Sequence, residues 1–446
     1  MQRDLTQGPI TGTMLRFALP MIAGNLLQQF YNIADTLIVG RYLGVQALAA
    51  VGAAYTLMTF LTSILLGLCM GSGAVFSLRF GEKNETILKR SIFVSFVLIG
   101  TVALILNAIV FLYIDPIMGL LCVPGEIYAL MREYLWTIFW GITAVFLYNY
   151  FASLLRAVGN SFIPLVFLGI SAVLNIILDL VFVLVFGWGA AGAGAATVIS
   201  QFVSGIGISL YTLIKMPEFR INKSHMRFDH SVLKEIAGFS FLTCAQQSVM
   251  NFGILMVQGL VNSFGASVMA AFAAAVKIDS FAYMPVQDFG NAFSTFIAQN
   301  YGAGKHDRIK KGIKSAVKTS ILFCLIISLV VCVFAKQLML IFIQPQETEI
   351  LAVGVQYLRI EGAFYCGIGC LFLLYGLYRA VRKPEMSVIL TVISLGTRVI
   401  LAYILSAVPA IGVVGIWAAV PIGWVLADLV GFLYYKLRVR GGKIGI

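Results

Sequence analysis

The sequence contains little charge and few residues with reactive or metal-binding side chains. Only 11% of its 446 residues are Asp, Glu, Lys or Arg, and three are histidine. Soluble domains carry about 25% charged residues, so the composition excludes a soluble globule. The seven cysteines form no Cys-x-x-Cys pair, which excludes a disulfide scaffold. No His-Glu-x-x-His or Gly-x-Ser-x-Gly motif occurs and the histidines fall in predicted loops, so an enzyme is not expected.

Long apolar runs account for most of the remaining sequence. Sixty per cent of the chain is apolar, and one transmembrane helix needs about 20 such residues. Long β-barrel alternation is absent, and in lipid only helices and closed barrels satisfy every backbone polar group. We therefore expect an all-α polytopic membrane protein. Its twelve transmembrane helices are predicted at residues 15–40, 46–76, 91–113, 127–152, 162–186, 192–214, 235–261, 267–299, 316–342, 351–377, 386–407 and 412–435.

The basic residues predict which side of the membrane each loop occupies. With the N-terminus in the cytoplasm, 25 of the 31 Lys and Arg residues fall in cytoplasmic segments, and only Arg41, Arg132 and Lys336 fall on the opposite side. Cytoplasmic loops are enriched in Lys and Arg, so a multi-pass protein with both termini in the cytoplasm is expected. The same bias accounts for the net charge of +12 without nucleic acid as a partner.

The two halves of the chain resemble each other. A shift of 223 residues places Arg156-Ala157-Val158 on Arg379-Ala380-Val381, and a shift of 221 places Gly81 on Gly302. Because each half has six spans, an even number, both halves enter the membrane in the same orientation. This predicts two pseudo-symmetric lobes related by a parallel repeat, which is a known transporter plan. The expected domains are an N-lobe of spans 1–6 (residues 1–214), a cytoplasmic linker (215–234) and a C-lobe of spans 7–12 (235–446).

Polar groups inside the first-half spans are the strongest functional candidates. A charged group at mid-bilayer costs about 2.5–3.5 kcal/mol on insertion scales and marks a functional site by default. Asp35 shares a face of span 1 with Tyr31 and Asn32, and Asp179 follows Asn175 by one turn of span 5. Two carboxylates with amide neighbours suit a monovalent cation, because they bind Na⁺ through oxygen or share a proton when they lie close together. A structural hydrogen-bonding role for each aspartate is the alternative.

The second half carries a different set of charges. Asp179 falls on Ala402 after the 223-residue shift, and the counterpart of Asp35 also lacks an acid. Candidates for cavity residues in this half, for which a purely structural role is an equal alternative, are Lys277, Asp279, Glu361 and Arg398. In the first half, Pro20 has no backbone N–H and is expected to bend span 1.

Several segments, taken in order, resemble the multidrug and toxic compound extrusion (MATE) family. Residues 28–40 are similar to span 1 of that family, and residues 298–305 to the end of its span 8. Residues 155–159, 175–179 and 195–201 resemble parts of its spans 4 to 6. The resemblance covers nearly the whole chain. It implies a V-shaped protein of two six-helix lobes that alternate access between the two sides of the membrane.

The resemblance also implies a function and a set of ligands. Members of the family export organic cations and drugs in exchange for H⁺ or Na⁺. In prokaryotic members with an N-lobe cation site, the cation ligands match Asp35, Asn175, Asp179 and Thr197, so H⁺ or Na⁺ is the expected coupling ion and no cofactor is expected. The bending proline of the family matches Pro20. The polar cavity candidates of the first half are Gln28, Tyr31, Asn32, Asn149 and Gln201.

One departure from the family bears on the choice between lobes. Other members carry an acidic pair on spans 7 and 10, but span 7 here reads Gln246-Gln247 where an acid is expected, although Glu361 is present in span 10. This favours the N-lobe site. We expect a monomeric cation-coupled antiporter of the inner or plasma membrane that exports small amphipathic organic cations. The alternatives are a lipid-linked oligosaccharide flippase of the same superfamily, with Lys277 and Arg398 binding phosphate, and a passive channel.

Overall fold

The computed structural model describes residues 4–121 and 123–439, except for the side chains of residues 45, 120, 218, 438 and 439. Within these ranges the chain is helical and has no β-strand. The helices in chain order are α1 (Ile10–Tyr42), α2 (Gly44–Gly81), α3 (Glu85–Leu112), α4 (Ile114–Leu120), α5 (Gly125–Ile138), α6 (Ile142–Ala157), α7 (Phe162–Leu180), α8 (Gly189–Lys215), α9 (His230–Asn262), α10 (Ala266–Gly302), α11 (His306–Val333), α12 (Ala335–Met339), α13 (Thr348–Gly362), α14 (Tyr365–Ala380), α15 (Pro384–Ser406) and α16 (Val413–Tyr434). The predicted cytoplasmic positions of Arg3, Arg440 and Lys443 and the predicted loop position of Cys122 lie outside the described residues.

Several predicted spans contain more than one type of helix. The 3-10 turn Phe139–Gly141 joins α5 to α6. The π-helical turns Val181–Val185 and Tyr435–Val439 continue α7 and α16. α13 and α14 meet at a bend of 51° and together are long and apolar enough for one span. The breaks at 139–141, 181–185 and 363–364 fall inside apolar runs, so apolar composition alone does not locate them.

The predicted all-α membrane fold is confirmed. Among the described residues, ten helical spans are long and apolar enough to cross a membrane, and the bent α13–α14 pair makes an eleventh. The seventh predicted span, 235–261, falls on α9, which is not among these eleven. Its 33 residues are about 50 Å long, but Gln246, Gln247, Asn251 and Gln258 interrupt its apolar sequence.

The boundaries of the ninth predicted span, 316–342, are wrong. α11 begins at His306 and ends at Val333. The lysine-rich stretch at its start remains helical because Lys has a high helix propensity, although an apolar window does not include it. After Val333 the apolar run continues as the short helix α12 and a turn. Hydropathy therefore identified the span and misplaced both of its ends.

The chain forms two compact units. Unit 1 contains Leu19–Cys244, and unit 2 contains Leu5–Ala18 together with the chain from Ala245 onward. In terms of helices, unit 1 consists of α2 to α8 with most of α1 and the first half of α9. Unit 2 consists of α10 to α16 with the first two turns of α1 and the second half of α9. Two helices are thus divided between the units.

In unit 1, glycines bring α2 against the first half of α9. A Cβ atom on Gly71 would lie 2.4 Å from the carbonyl oxygen of Phe239, and one on Gly67 would lie 2.6 Å from the Cα atom of Cys244. Small residues let the backbones of membrane helices approach this closely, and van der Waals packing then holds the helices together. Any larger side chain at Gly71 would push the two helices apart.

Charged side chains of unit 1 fix the start of α9. Arg79 at the end of α2 forms a salt bridge with Glu235. Asp229 accepts hydrogen bonds from the backbone N–H of Ser231 at 2.9 Å and from its hydroxyl at 2.7 Å, and lies 3.7 Å from Arg90. A carboxylate that accepts from the first turn in this way caps a helix.

In unit 2, the segment before α1 is fixed to the turn between α10 and α11. Leu5 is fully buried, and its N–H donates to Gln299 Oε1 at 3.1 Å. Lys305 and Arg308 donate to the backbone carbonyl oxygens of residues 6–8 at 2.6–2.8 Å. The segment from Leu5 to Gly8 is therefore part of the core and hydrogen-bond network of unit 2.

Candidate functional site

The side chains of Asp35 on α1 and Asp179 on α7 contact each other inside unit 1. Their carboxyl groups lie within hydrogen-bonding range. Asp179 is fully buried and Asp35 is half-buried. Among the described residues, no other hydrogen-bond partner meets either oxygen of Asp179 or Oδ1 of Asp35. Two carboxylates can only accept, so this contact becomes a hydrogen bond when one of the two groups holds a proton.

An amide extends this pair along the same face of α7. Asn175 lies one turn before Asp179 and is 2% exposed. Its Nδ2 donates to Thr197 Oγ1 on α8 at 3.2 Å, and the Thr197 hydroxyl donates to the carbonyl oxygen of Ala193 at 3.1 Å. Because this chain of bonds uses the amide nitrogen, Asn175 Oδ1 is left as a buried acceptor with no donor among the described residues. It adds a neutral oxygen to the carboxylate oxygens.

Two tyrosines lie near the two acids, and a third lies near these two tyrosines. Tyr31 on α1 and Tyr134 on α5 are close enough to interact electrostatically with both Asp35 and Asp179. Tyr55 on α2 interacts with both of these tyrosines. Tyr134 is buried, whereas Tyr55 is 52% exposed. The acids thus lie among phenol rings, which offer apolar faces and hydroxyl groups. Sequence reasoning predicted Tyr31 and missed Tyr55 and Tyr134.

The other polar side chains predicted for this cavity differ from one another in their contacts and burial. Gln28 is hydrogen-bonded to Tyr31, and Asn32 is half-buried on the same helix. Asn149 Nδ2 donates to a carbonyl oxygen of its own helix, α6, at 2.9 Å. Gln201 Oε1 is buried beside the 3-10 turn 139–141 and meets no donor among the described residues. Of this set, Gln28 and Tyr31 are hydrogen-bonded to each other near the two acids.

Pro20 lies inside α1, one residue after unit 1 begins. Proline has no N–H, so the carbonyl oxygen of Arg16, four residues earlier, loses its usual helical partner. The helix nevertheless continues from Ile10 to Tyr42. This missing backbone hydrogen bond gives the predicted bend at Pro20 a local basis.

A second cluster of charges lies in unit 2. The hydroxyl of Tyr365 on α14 donates to Asp279 Oδ1 on α10 at 2.6 Å. Arg398 on α15 interacts electrostatically with Asp279 and with Glu361 on α13, and Tyr357 is hydrogen-bonded to Glu361. Both acids are buried. The cluster contains the guanidinium group of Arg398, so its two carboxylates interact with a positive charge that the protein itself supplies.

Lys277 is exposed on α10, with its Nζ 6.0 Å from the centroid of the Phe342 ring. Asp279, only two residues further on, is buried. Sequence reasoning missed the two tyrosines that contact the acids of this cluster. Tyr357, Glu361 and Tyr365 follow one another at intervals of four residues, which is the spacing of one helix face and a signal that could have identified them.

The donor atoms of the unit 1 site determine which ions fit it. Over residues 4–121 and 123–439, no group of three or more His, Cys, Asp or Glu side chains could hold a metal ion. The site offers carboxylate, amide and hydroxyl oxygens, with no imidazole or thiolate. Oxygen ligands suit a hard cation such as Na⁺ and do not select transition metals. The alternative occupant is a proton shared by the two carboxyl groups.

Comparison with known proteins identifies similar sequences over nearly the full chain. The sequence pattern of the MatE family matches residues 20–181 and again residues 240–404. The two matches begin 220 residues apart, close to the shifts that relate the two halves. "Probable multidrug resistance protein YpnP" of Bacillus subtilis is 30% identical over 436 residues, which cover 97% of this chain and 96% of that protein. "Probable multidrug resistance protein NorM" of Thermotoga maritima is 26% identical, and the alignment covers 91% of this chain and 87% of that protein.

Solved structures with the same fold are also known. A MOP superfamily transporter from Pyrococcus furiosus superposes with a TM-score of 0.92 over 98% of each chain, at 23% sequence identity. An outward-facing multidrug resistance MATE family transporter gives the same TM-score, identity and coverage. At this level of identity the likeness establishes the fold, and the chemistry has to be argued from the residues of this chain.

Proposed function

This chain belongs to the MatE family of membrane transporters, and on that premise we propose that it is an antiporter. It exports small organic cations and drugs from the cytoplasm in exchange for H⁺ or Na⁺. Its relatives bear the names of multidrug resistance proteins, which supports export of drugs as the transport function. The acidic site in unit 1 supports coupling to a monovalent cation, H⁺ or Na⁺.

The contact between Asp35 and Asp179 is the observation that carries this proposal. Two adjacent carboxylates in a low-dielectric site repel each other, and a single positive charge between them relieves the repulsion. A proton or Na⁺ supplies that charge, and Asn175 Oδ1 with the Thr197 hydroxyl completes an oxygen cage. Release of the ion restores the repulsion, which favours a rearranged state in which the site has opened.

The surroundings of the pair favour a flat cationic substrate. Tyr31, Tyr55 and Tyr134 offer aromatic faces, to which organic cations bind by cation–π contact and by apolar burial. The substrate and the coupling ion would both be attracted by the negative charge of Asp35 and Asp179. They therefore compete, and binding of one promotes release of the other.

Ion gradients across the membrane supply the driving force. One elementary charge that crosses 100 mV releases about 2.3 kcal/mol, which supports a concentration gradient of about fiftyfold for a neutral substrate at one-to-one exchange. A monovalent organic cation exchanged for one H⁺ or Na⁺ moves no net charge, so its export is driven by the concentration gradient of the ion. The proposed carrier works by alternating access in the plasma membrane as a monomer, and this transport involves no chemical step. The excess of Lys and Arg in one set of loops supports cytoplasmic termini.

Transport in reconstituted vesicles tests the proposal. Purified protein in liposomes is given an imposed Na⁺ or H⁺ gradient and a fluorescent cationic dye, and dye accumulation is followed. Asp35→Asn and Asp179→Asn are each expected to abolish gradient-driven accumulation, because an amide cannot hold the coupling charge. Asp307→Asn, which changes an exposed acid at the start of α11, is the matched control and is expected to transport as the wild type does.

Two results would contradict the proposal. Normal accumulation by both Asp35→Asn and Asp179→Asn would remove the coupling role from the pair. Transbilayer movement of a lipid-linked sugar that no dye inhibits would identify a flippase of the same superfamily instead. Monodisperse elution and wild-type helix content of each variant exclude a folding defect as the cause of lost transport.

A further inference from the structure

An apolar cavity of about 100 Å³ lies in unit 2, between α10, α11, α14 and α16. The side chains that line it include Phe293, Ile313, Val317, Leu374, Leu377 and Phe432. Phe432 and its neighbour Leu433 are 47% and 58% exposed, so α16 presents this region to the surrounding lipid. Cys370 and Tyr435 also line it, but the lining is predominantly apolar, and an apolar cavity does not retain water. It is suited to an alkyl chain.

Two lysines lie on two of the chain segments that line this cavity, both toward the same end of unit 2. On α11, Lys310 precedes Ile313 by three residues and Val317 by seven, and these spacings place all three on one helix face. Lys436 follows Phe432 by four residues and lies in the π-helical turn that continues α16. Lys310 lies near the start of α11, and Lys436 lies just beyond the end of α16. Both lysines are exposed.

The two lysines therefore lie at one membrane surface, and the apolar cavity lies about one helical turn deeper in the bilayer. An anionic phospholipid has the same arrangement of charge and hydrocarbon. Basic pockets between transmembrane helices bind the head groups of such lipids. The charge bias of the loops assigns this end of unit 2 to the cytoplasmic leaflet.

We propose that this cavity is a binding site for an anionic phospholipid of the cytoplasmic leaflet. One acyl chain occupies the space between Ile313, Leu374 and Phe432, and the phosphate is bound by Lys310 and Lys436. The site is independent of the acids proposed to couple transport, since every residue in it belongs to unit 2. A zwitterionic lipid fits the cavity equally well but gains less from the two lysines.

Native mass spectrometry of the delipidated protein tests the site. The protein is titrated with phosphatidylglycerol and with phosphatidylcholine that carries the same acyl chains. We expect tighter binding of phosphatidylglycerol. The double substitution Lys310→Gln/Lys436→Gln is expected to weaken phosphatidylglycerol binding on the order of 25-fold, about fivefold for each lysine, and to leave phosphatidylcholine binding unchanged. Lys311→Gln/Lys318→Gln, which alters exposed lysines on a different part of the α11 surface, is the matched control and is expected to bind both lipids as the wild type does.

A second variant tests the acyl-chain cavity. Ile313→Trp fills it and is expected to weaken binding of both lipids, whereas Leu325→Trp, at a 55% exposed position of the same helix, is expected to have no effect. Equal binding of the two lipids by the wild type would overturn the proposal. So would an equal loss of phosphatidylglycerol binding in the two lysine double variants. Displacement of the lipid by glycerol 3-phosphate would also overturn it, because the site would then bind a free phosphate. Monodisperse elution of every variant shows that the protein has folded.

Discussion

The side-chain nitrogen of Asn175 lies 3.2 Å from the hydroxyl oxygen of Thr197, and the hydroxyl itself donates to the backbone of α8. This order of donors fixes the orientation of the amide. The nitrogen points to Thr197, so the oxygen is the atom left for a cation. Thr197 therefore acts on the proposed ion site in part by orienting Asn175.

Removal of this hydroxyl should weaken ion binding selectively. Thr197→Val keeps the shape of the side chain but leaves the Asn175 N–H without its acceptor, a loss of about 1–2 kcal/mol. We expect the Na⁺ or H⁺ concentration for half-maximal transport to rise about 5–30-fold, with the maximal rate retained. Thr212→Val removes the same type of helix back-bond at a buried position of α8 and should leave the ion dependence unchanged. Equal effects of the two substitutions would contradict the role of Thr197.

Tyr365 should stabilise unit 2 through its bond to Asp279. Tyr365→Phe leaves a buried carboxylate oxygen without this donor, which costs about 1–3 kcal/mol, and the unfolding temperature in detergent should fall accordingly. A double-mutant cycle with Asp279→Asn checks the assignment, because contacting residues are expected to be coupled. Additive effects of the two substitutions would show that the 2.6 Å contact contributes little to stability.

The glycines of α2 offer a matched test of helix packing. Gly71→Ala places a methyl group 2.4 Å from the Phe239 carbonyl oxygen, so we expect a destabilisation of about 1–3 kcal/mol. A Cβ atom on Gly52, in the same helix, meets nothing within 4 Å. Gly52→Ala should therefore be neutral or stabilising by up to about 1 kcal/mol. Thermal unfolding in detergent measures the stability of both variants. Equal unfolding temperatures would exclude close packing at Gly71 as the cause of the destabilisation.

The cap of α9 should make stability depend on pH. Hydrogen bonds from the Ser231 hydroxyl and backbone N–H, with a contribution from Arg90, hold the pKa of Asp229 below its usual value. A lowered carboxyl pKa stabilises the folded state above the unfolded pKa of about 3.9, and this stabilisation disappears as the pH falls through the folded pKa. Asp229→Ala should thus lower the unfolding temperature at pH 7, and its difference from the wild type should shrink below about pH 4. A difference that stays constant from pH 7 to pH 3 would rule out this role, while Ser231→Ala should reproduce part of the effect.

Most of the fold follows from hydropathy, and its exceptions have local causes. Apolar runs of sufficient length indicate where helices cross the membrane, because the bilayer leaves few other ways to satisfy the backbone. α9 contains glutamines and asparagines in its second half, so composition alone does not distinguish it from a helix outside the membrane. The start of α11 differs from the prediction because a lysine-rich turn is as helical as the apolar run that follows it, and the end differs because the apolar run continues beyond Val333 into α12.

The site was only partly accessible to sequence reasoning. The spacing of Asn175 and Asp179 indicates a shared helix face, which is a local property. The contact of Asp35 with Asp179 depends on how α1 packs against α7, and only the family resemblance pointed to it. Tyr55 and Tyr134 come from α2 and α5, where a tyrosine in an apolar helix resembles any other core aromatic residue. Packing over long sequence separations places Tyr134 near the acids and Tyr55 near Tyr31 and Tyr134.

The attachment of Leu5 to Gln299 spans 294 residues of sequence and constrains how the protein is made. A ribosome releases the first residues of the chain long before it has synthesised the turn that holds them. Unit 2 is thus complete only after most of the polypeptide has entered the membrane, and unit 1 must wait for Cys244. A gene divided at the connection between α8 and α9 would yield two fragments that each lack part of a unit, so neither is expected to fold completely unless the other is co-expressed.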